Sequence, residues 1–428
     1  MHIAIIGNGI AGATAARHIR KLSNFSITLI SAETDYFFSR TALMYVYMGH
    51  MKFDQTQPYE NDFWKKNNIA LKKGYVTQIS HQNKTLHFAE GETMQYDKLI
   101  LATGSVSNKF GWPGQNLKGV MGMYSKQDLD MLEACTPNTK SAVVVGGGLI
   151  GIELAEMLHS RNIGVTMLVR EKSFWDLVLP AGESNMINRH IASHNINLKL
   201  EEELKEIIAD DEGRVKAVIT SKGDTIPCEV VGLTVGVSPN IAFLKNSDVA
   251  TDRGILVNRY LETNISDIYA IGDCAQQHEA IGKRRAVEAV WYTGRMMGET
   301  VAQTICGVRT AYKPGHWFNS AKFLDIEYQT YGWVSAQPTE NENHFHWKHP
   351  KHNLCITLAY EKQSRKFLGI NTLGIRMKHA FFDDALTKGL LVDDVIANLG
   401  ASNFDPEFFK TYEREIQTLF LNTKMPVS

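Results

Sequence analysis

Apolar and polar residues change rhythm along the chain. Up to about residue 310, short β-branched or aliphatic runs lead into glycine and then into Ala/Leu-rich stretches with helical spacing, as in MHIAIIGNGIAGATAA at the start and SAVVVGGGLIGIELAE at 141–156. Each predicts a buried strand (His2 to Ile6; Ala142 to Val145), a tight turn and a helix. YDKLILATGS (96–105) and TNISDIYAIGDCAQ (263–276) predict two more buried strands, and 282–307 has a helical pattern. From about Tyr312 the rhythm becomes alternation, in WFNSAKFLDIEYQTYGWV and NLCITLAYEKQSRKFLGINTLG, which predicts antiparallel strands. The final stretch, NFDPEFFKTYEREIQTLFLN, returns to helical spacing. There Asp405 is the expected N-cap, Pro406 the first helical residue, and Phe408, Phe409, Tyr412, Ile416, Leu419 and Phe420 the apolar face.

The glycines have a spacing that carries chemistry. Gly7, Gly9 and Gly12, and again Gly146, Gly148 and Gly151, match a dinucleotide-binding fingerprint, with Ile10, Ala11 and Ile150 opening the helices beside them. The first glycine allows the turn, the second lets a pyrophosphate approach the backbone, and the third lets helix pack on strand. The helix N-terminus adds free N–H groups and a positive dipole end. One such match also fits a plain α/β turn; two matches, each framed by the right elements, predict two bound dinucleotides.

Other features narrow the setting. A chain of 428 residues predicts two or three domains, and a net charge of −1 gives no electrostatic footprint for nucleic acid or anionic lipid. The five cysteines (Cys135, Cys228, Cys274, Cys306, Cys355) are scattered and read as inert thiols of a reducing cytosol. With no signal peptide and no apolar run of about 18 residues, the expected location is the cytoplasm, without integral membrane association. His344, His346, His349 and His352 fall between predicted strands, and His344 and His346 share a strand face. A zinc or copper site is conceivable there, but a wet hairpin is the expected reading, and no metal is expected.

Taken in order, these motifs resemble the two-dinucleotide flavoprotein family, the FAD-dependent pyridine-nucleotide oxidoreductases. The similarity runs from residue 1 to about 310 and falls in the cysteine-less branch of NADH dehydrogenases, rubredoxin and ferredoxin reductases and the flavin part of nitrite reductase. It implies an α/β fold with two Rossmann-like three-layer nucleotide-binding domains and an α+β C-terminal domain. The implied layout is an FAD domain at 1–112 and 236–310, an inserted NAD(P) domain at 113–235, and a last domain at 311–428 that forms an interface or acceptor wall. The resemblance places FAD on the first glycine motif, on Ala102, Thr103 and Gly104, and on Gly272 and Asp273; NAD(P)H falls to the second motif, with Gly236 in the second return strand GLTVGVSPN.

The chain also departs from the family pattern. Where an acid usually meets the adenosine ribose, the strand ITLIS ends at Ser31 with Glu33 two residues on, a ribose ligand or a surface carboxylate. In VTMLVREK, Val169 replaces the acid of NAD-preferring relatives; Arg170 then suits a 2′-phosphate, while Glu171 suits a 2′-hydroxyl. No cysteine precedes Cys135, so a thiolate relay is not expected. FFSRTALMY resembles the family's arginine-containing stretch, with Arg40 and Thr41 on cofactor-binding positions and Tyr45 where a lysine usually pairs with the glutamate after the NAD(P) glycines, here Glu153. Tyr45 then forms an aromatic wall for a flat acceptor or is a packed core aromatic. By the same resemblance Trp291 lies on the nicotinamide side, unless it is a core tryptophan, and Lys322 in SAKF supplies charge near the flavin.

The expected activity is hydride transfer from NAD(P)H to FAD N5, followed by electron transfer to a redox protein or a quinone without a disulfide. A membrane-associated NADH:quinone dehydrogenase and a slow flavoprotein sensor are the alternatives, and a homodimer is compatible with the family. The charge pattern of the last helix, Glu407, Glu413 and Glu415 against Lys410 and Arg414, favours packing on the protein over a membrane surface.

Overall fold

The computed structural model describes residues 1–423. The chain divides into two compact units, each built from separated segments: Met1–Gly111, Gly119–Asn138 and Val235–Pro314 in the first, Trp112–Lys118, Thr139–Thr234 and Gly315–Ser428 in the second.

The first unit is built on a parallel sheet whose strands run, across the sheet, Ile268–Ala270, Lys98–Leu101, His2–Ile6, Ser26–Ser31 and Ile69–Lys73. Its central strands are continuous apolar runs because both faces are covered. The helix Ile10–Leu22 buries Ala11, Ala13, Ala15, Ala16 and Ile19, and these small side chains allow close approach of the helix Trp291–Ile305. A β-carbon on Gly298 would lie 2.6 Å from the Ala11 carbonyl oxygen, so the crossing of these helices requires glycine there. Arg20 ends the first helix by donating to the Ser23 and Phe25 carbonyls at 3.1 and 2.5 Å.

The helical pattern over 282–307 is realised only from Trp291. Residues ahead of it form an irregular segment pinned by a buried ion pair, Arg284 Nη1 to Glu288 Oε2 at 3.1 Å, with Arg284 Nη2 on the Pro314 carbonyl. Burial raises the Glu288 pKa against the opposing pull of Arg284. The bond to Pro314, thirty residues along the chain, is the tertiary contact that holds this segment against the local helical preference.

In the second unit four parallel strands, Asn197–Leu200, Gly164–Val169, Ser141–Val145 and Val230–Leu233, form the nucleotide-type sheet, and Leu149–Ser160 is its first crossover helix. The alternating region forms a five-stranded antiparallel sheet in the order Phe318–Phe323, Ile326–Gly332, Phe367–Leu373, Cys355–Glu361, Glu342–Lys348. Its core includes Tyr331, Trp347, Leu358, Phe367 and Phe382. The helix Ala181–Ser193 meets this sheet, with Asn371 Nδ2 donating to Glu183 Oε2 at 2.9 Å and the His346 ring against Gly182.

The last helix starts at Glu413, not after Asp405. Asp405 accepts from the Phe408 and Phe409 amides in a single turn, and both phenyl groups are exposed, whereas Ile416 and Phe420 are buried. Asn403 donates to Glu413 and Trp347 to Glu415, which fixes the start about two turns later than the local pattern predicts. Among the described residues no helix is long and apolar enough to cross a membrane.

Candidate cofactor and electron-transfer site

Both glycine motifs fold into the same local geometry. Gly7 has φ +111°, and a β-carbon on it would fall 2.0 Å from the Ala102 carbonyl oxygen; one on Gly12 would fall 1.9 Å from the Gly7 carbonyl oxygen. Gly146 has φ +123° and faces the Thr234 carbonyl oxygen at 2.5 Å, and Gly151 faces that of Gly146 at 2.4 Å. These four glycines are demanded by the protein's own packing. The middle ones are not. Gly9 and Gly148 are the N-caps of Ile10–Leu22 and Leu149–Ser160, and an added β-carbon at either meets nothing within 4 Å. Each helix N-terminus, with Ile10 and Ala11 or Ile150 in its first turn, therefore faces room for an anion, which is the fit a dinucleotide pyrophosphate needs.

Around the first cradle, Asp273 follows Gly272, which has φ +72°. The Asp273 carboxylate is withdrawn from water, and burial raises its pKa. It accepts from Tyr124 Oη at 3.2 Å and from Ser105 Oγ at 3.3 Å. Thr103 Oγ1 donates to the Asn240 carbonyl at 2.7 Å, and Asn240 N returns a bond to the Gly104 carbonyl at 2.9 Å. Gly236 (φ +88°) precedes Val237–Pro239, which pairs with Ser105–Ser107.

Arg40 and Glu33 form a bidentate pair at 2.9 and 2.6 Å. Arg40 also donates to the Tyr124 carbonyl and lies over the Tyr124 ring, 4.4 Å from its centroid. Glu33 accepts a further bond from Lys126 N, and its own amide is held by Ser31 Oγ at 3.2 Å. A carboxylate has about four acceptor positions, so a ribose hydroxyl would compete for what these donors leave. Thr41 lies in the turn Arg40–Ala42, its hydroxyl 3.3 Å from that of Ser39. Tyr45 is half-buried in Leu43–Tyr47 and stacks on His50 at 6.0 Å between centroids. Trp291 opens its helix, edge-on to Tyr292.

Sequence reasoning missed Tyr124. It joins Glu33 and Arg40 to Asp273 through its carbonyl, ring and hydroxyl, from just ahead of the capping box of Ser125 and Asp128. That capping box, Ser-x-x-Asp before an apolar run, was the signal available.

In the second unit, Glu153 and Glu156 lie on one face of Leu149–Ser160, and Lys322 Nζ donates to Glu156 Oε1 at 2.6 Å. Burial, then the Glu156 charge, raise the Glu153 pKa to about 7 against the opposing pull of Lys322. Arg170 is largely exposed and pairs with its neighbour Glu171, Nε to Oε1 at 2.7 Å. All five cysteines are free thiols; burial raises the Cys228 thiol to about 12 and lifts Cys274 and Cys355. His344 and His346 are half-buried in Glu342–Lys348, His346 with its Nδ1 2.9 Å from Thr357 Oγ1, and His349 and His352 lie in the following turn.

The chain is similar to known proteins in family and in fold. The family described as pyridine nucleotide-disulphide oxidoreductase matches residues 1–302. A 5,5′-dehydrodivanillate O-demethylase ferredoxin reductase subunit from Sphingobium sp. is 31% identical over 337 residues, 78% of this chain and 81% of that protein. Nitrite reductase [NAD(P)H] of Bacillus subtilis is 30% identical over 311 residues, which cover 72% of this chain but only 38% of that longer protein. Among solved structures, a ferredoxin reductase from Rhodopseudomonas palustris superposes with a TM-score of 0.83 at 23% identity, covering 91% of this chain and 96% of the other.

Proposed function

The chain belongs to the pyridine nucleotide-disulphide oxidoreductase family and is an FAD-dependent NAD(P)H oxidoreductase, and from there we propose that its electrons leave to a small redox protein, with no protein thiol on the route. The observation that carries this reading is the segment 35–51, which contains no cysteine yet keeps Arg40 in place through Glu33 and Tyr124. The ferredoxin reductase subunit that resembles the chain over most of its own length supports this class of acceptor.

Bound FAD supplies a carrier that accepts a hydride and releases electrons singly. The residues proposed to hold it are those of the first cradle: the amides of Ile10 and Ala11 bind the pyrophosphate, Asp273 accepts from a hydroxyl of the cofactor chain, and Arg40 positions Glu33 toward the ribose. Gly148 and Ile150 open the nicotinamide-dinucleotide cradle, with Arg170 and Glu171 at its ribose end. Glu153, with a pKa near the working pH, is proposed to hold or release a proton on the nicotinamide side, and Lys322 to temper its charge through Glu156. Trp291 and Tyr45 are proposed as aromatic walls.

The test is anaerobic stopped-flow at about 450 nm with NADH and NADPH in turn, followed by reoxidation with a ferredoxin, a rubredoxin and a quinone. Fast bleaching and fast recovery with a redox protein is the expected result. Recovery with the quinone alone assigns the enzyme to quinone reduction, and a bleached flavin that persists against every acceptor makes it a sensor.

A further inference from the structure

Away from both cradles, the helix Ala181–Ser193 and the hairpin between Phe318–Phe323 and Ile326–Gly332 bring three metal-ligating side chains together. His190 and His194 are four residues apart, hence on one helix face, with ring centroids 4.5 Å apart. Asp325 sits at the hairpin turn, its Oδ1 2.5 Å from His190 Nε2 and 3.8 Å from His194 Nε2. Among the described residues these three form the group whose ligand atoms all lie within 4.8 Å of one another.

We propose that His190, His194 and Asp325 bind a zinc-type divalent transition metal, clasping the helix to the hairpin. The supporting geometry lies in the atoms that face away from the cluster. His194 Nδ1 is bonded to the His190 carbonyl at 2.9 Å, which fixes the proton on Nδ1 and leaves the Nε2 lone pair toward Asp325. His190 Nδ1 lies 3.1 Å from Asn353 Nδ2, and metal binding at Nε2 requires this amide to turn over so that its oxygen accepts from Nδ1–H. Backing hydrogen bonds of this kind accompany metal-bound imidazoles. Tetrahedral zinc with bonds of ~2.0–2.1 Å spaces its ligand atoms by about 3.3 Å, so Asp325 must open from one histidine and close on the other by less than about 1 Å. It is free to do so, being 76% exposed at its side chain, while the hairpin itself is fixed by Leu324, buried with φ +57°. Two imidazoles and a carboxylate suit zinc, nickel or copper over calcium or magnesium, and solvent completes the coordination. This inference stands independently of the electron acceptor.

The experiment titrates tag-free, chelator-stripped, FAD-loaded protein with zinc chloride by calorimetry, and repeats the titration on H194A, D325N and the double variant H349A/H352A. One ion per chain is expected, weakened at least ~10-fold in H194A and in D325N and unchanged in the double variant. Zinc is also expected to raise the melting temperature of the parent protein but not of H194A. Both single substitutions lie at partly or largely exposed side chains, so loss of binding is separable from misfolding by the flavin spectrum. Absence of binding at about 100 μM zinc, or binding that survives H194A and vanishes in H349A/H352A, overturns the proposal.

Discussion

Lys322 reaches Glu156 with a 2.6 Å hydrogen bond, and Glu153, one helical turn earlier, shares the field of that lysine. Two carboxylates thus share one cation, and burial raises the Glu153 pKa to about 7. Lys322→Met removes a cation that lowers the Glu153 pKa, so it is expected to move from about 7 upward by ~1 unit. The pH profile of flavin reduction by NAD(P)H is the readout, and the shift should be absent in a Glu153→Gln background.

Substitutions at the two open glycines are expected to separate flavin binding from reduction. Gly9 has φ −68° and Gly148 φ −107°, both extended backbone that valine adopts, so neither substitution forces the fold. Gly9→Val should still cost the flavin, because its side chain fills the room above the first helix, and the purified protein should be colourless. Gly148→Val should stay yellow and lose reduction by both coenzymes by at least ~100-fold, measured at about 450 nm.

Glu183 predicts an unusual pH dependence of stability. It is fully buried, Oε1 has no hydrogen-bond partner among the described residues, and burial raises its pKa to about 7 despite bonds from Thr357 and Asn371. Between about 4.5 and 7 the folded state keeps a proton that the unfolded state has released, so this contribution is complete below about 4.5 and is lost as pH rises through about 7. Urea unfolding of Glu183→Gln should show a flatter decline, with up to ~3 kcal/mol in favour of the variant at alkaline pH relative to acid.

Arg170 and Glu171 are the neighbours proposed to set coenzyme choice. Arg170 is free to swing, with 68% of its side chain exposed, and its tie is to Glu171. Arg170→Ala should raise KM for NADPH about 10-fold and leave that for NADH within about two-fold, because a 2′-phosphate needs the guanidinium and a 2′-hydroxyl does not. Steady-state kinetics with both coenzymes decide it.

What could be read in the sequence was local. Strand, turn and helix at Gly7–Gly12 and Gly146–Gly151 are set by a dozen consecutive residues, and the antiparallel sheet by alternation within each strand. The Tyr124 connection escaped because its partners Arg40 and Asp273 are 84 and 149 residues away, with no periodicity to relate them. The late starts of the helices at Trp291 and Glu413 have the same origin: Arg284 with the Pro314 carbonyl, and Asn403 with Glu413, are bonds that propensity does not encode. His190, His194 and Asp325 were passed over since 135 residues separate the first from the last.

The helix crossing at Gly298 has a consequence for the order of assembly. The first cradle lies in residues 1–12, yet the helix that clamps it ends at Ile305 and the sheet edge strand Ile268–Ala270 is also late. The strands of the central nucleotide sheet between Ser141 and Leu233 pair with one another within the intervening stretch of chain. On a growing chain the second cradle can therefore form while the first still waits for its far end. A chain truncated before Trp291 would own the complete glycine fingerprint and lack the helix that packs on it, and is therefore expected not to retain flavin.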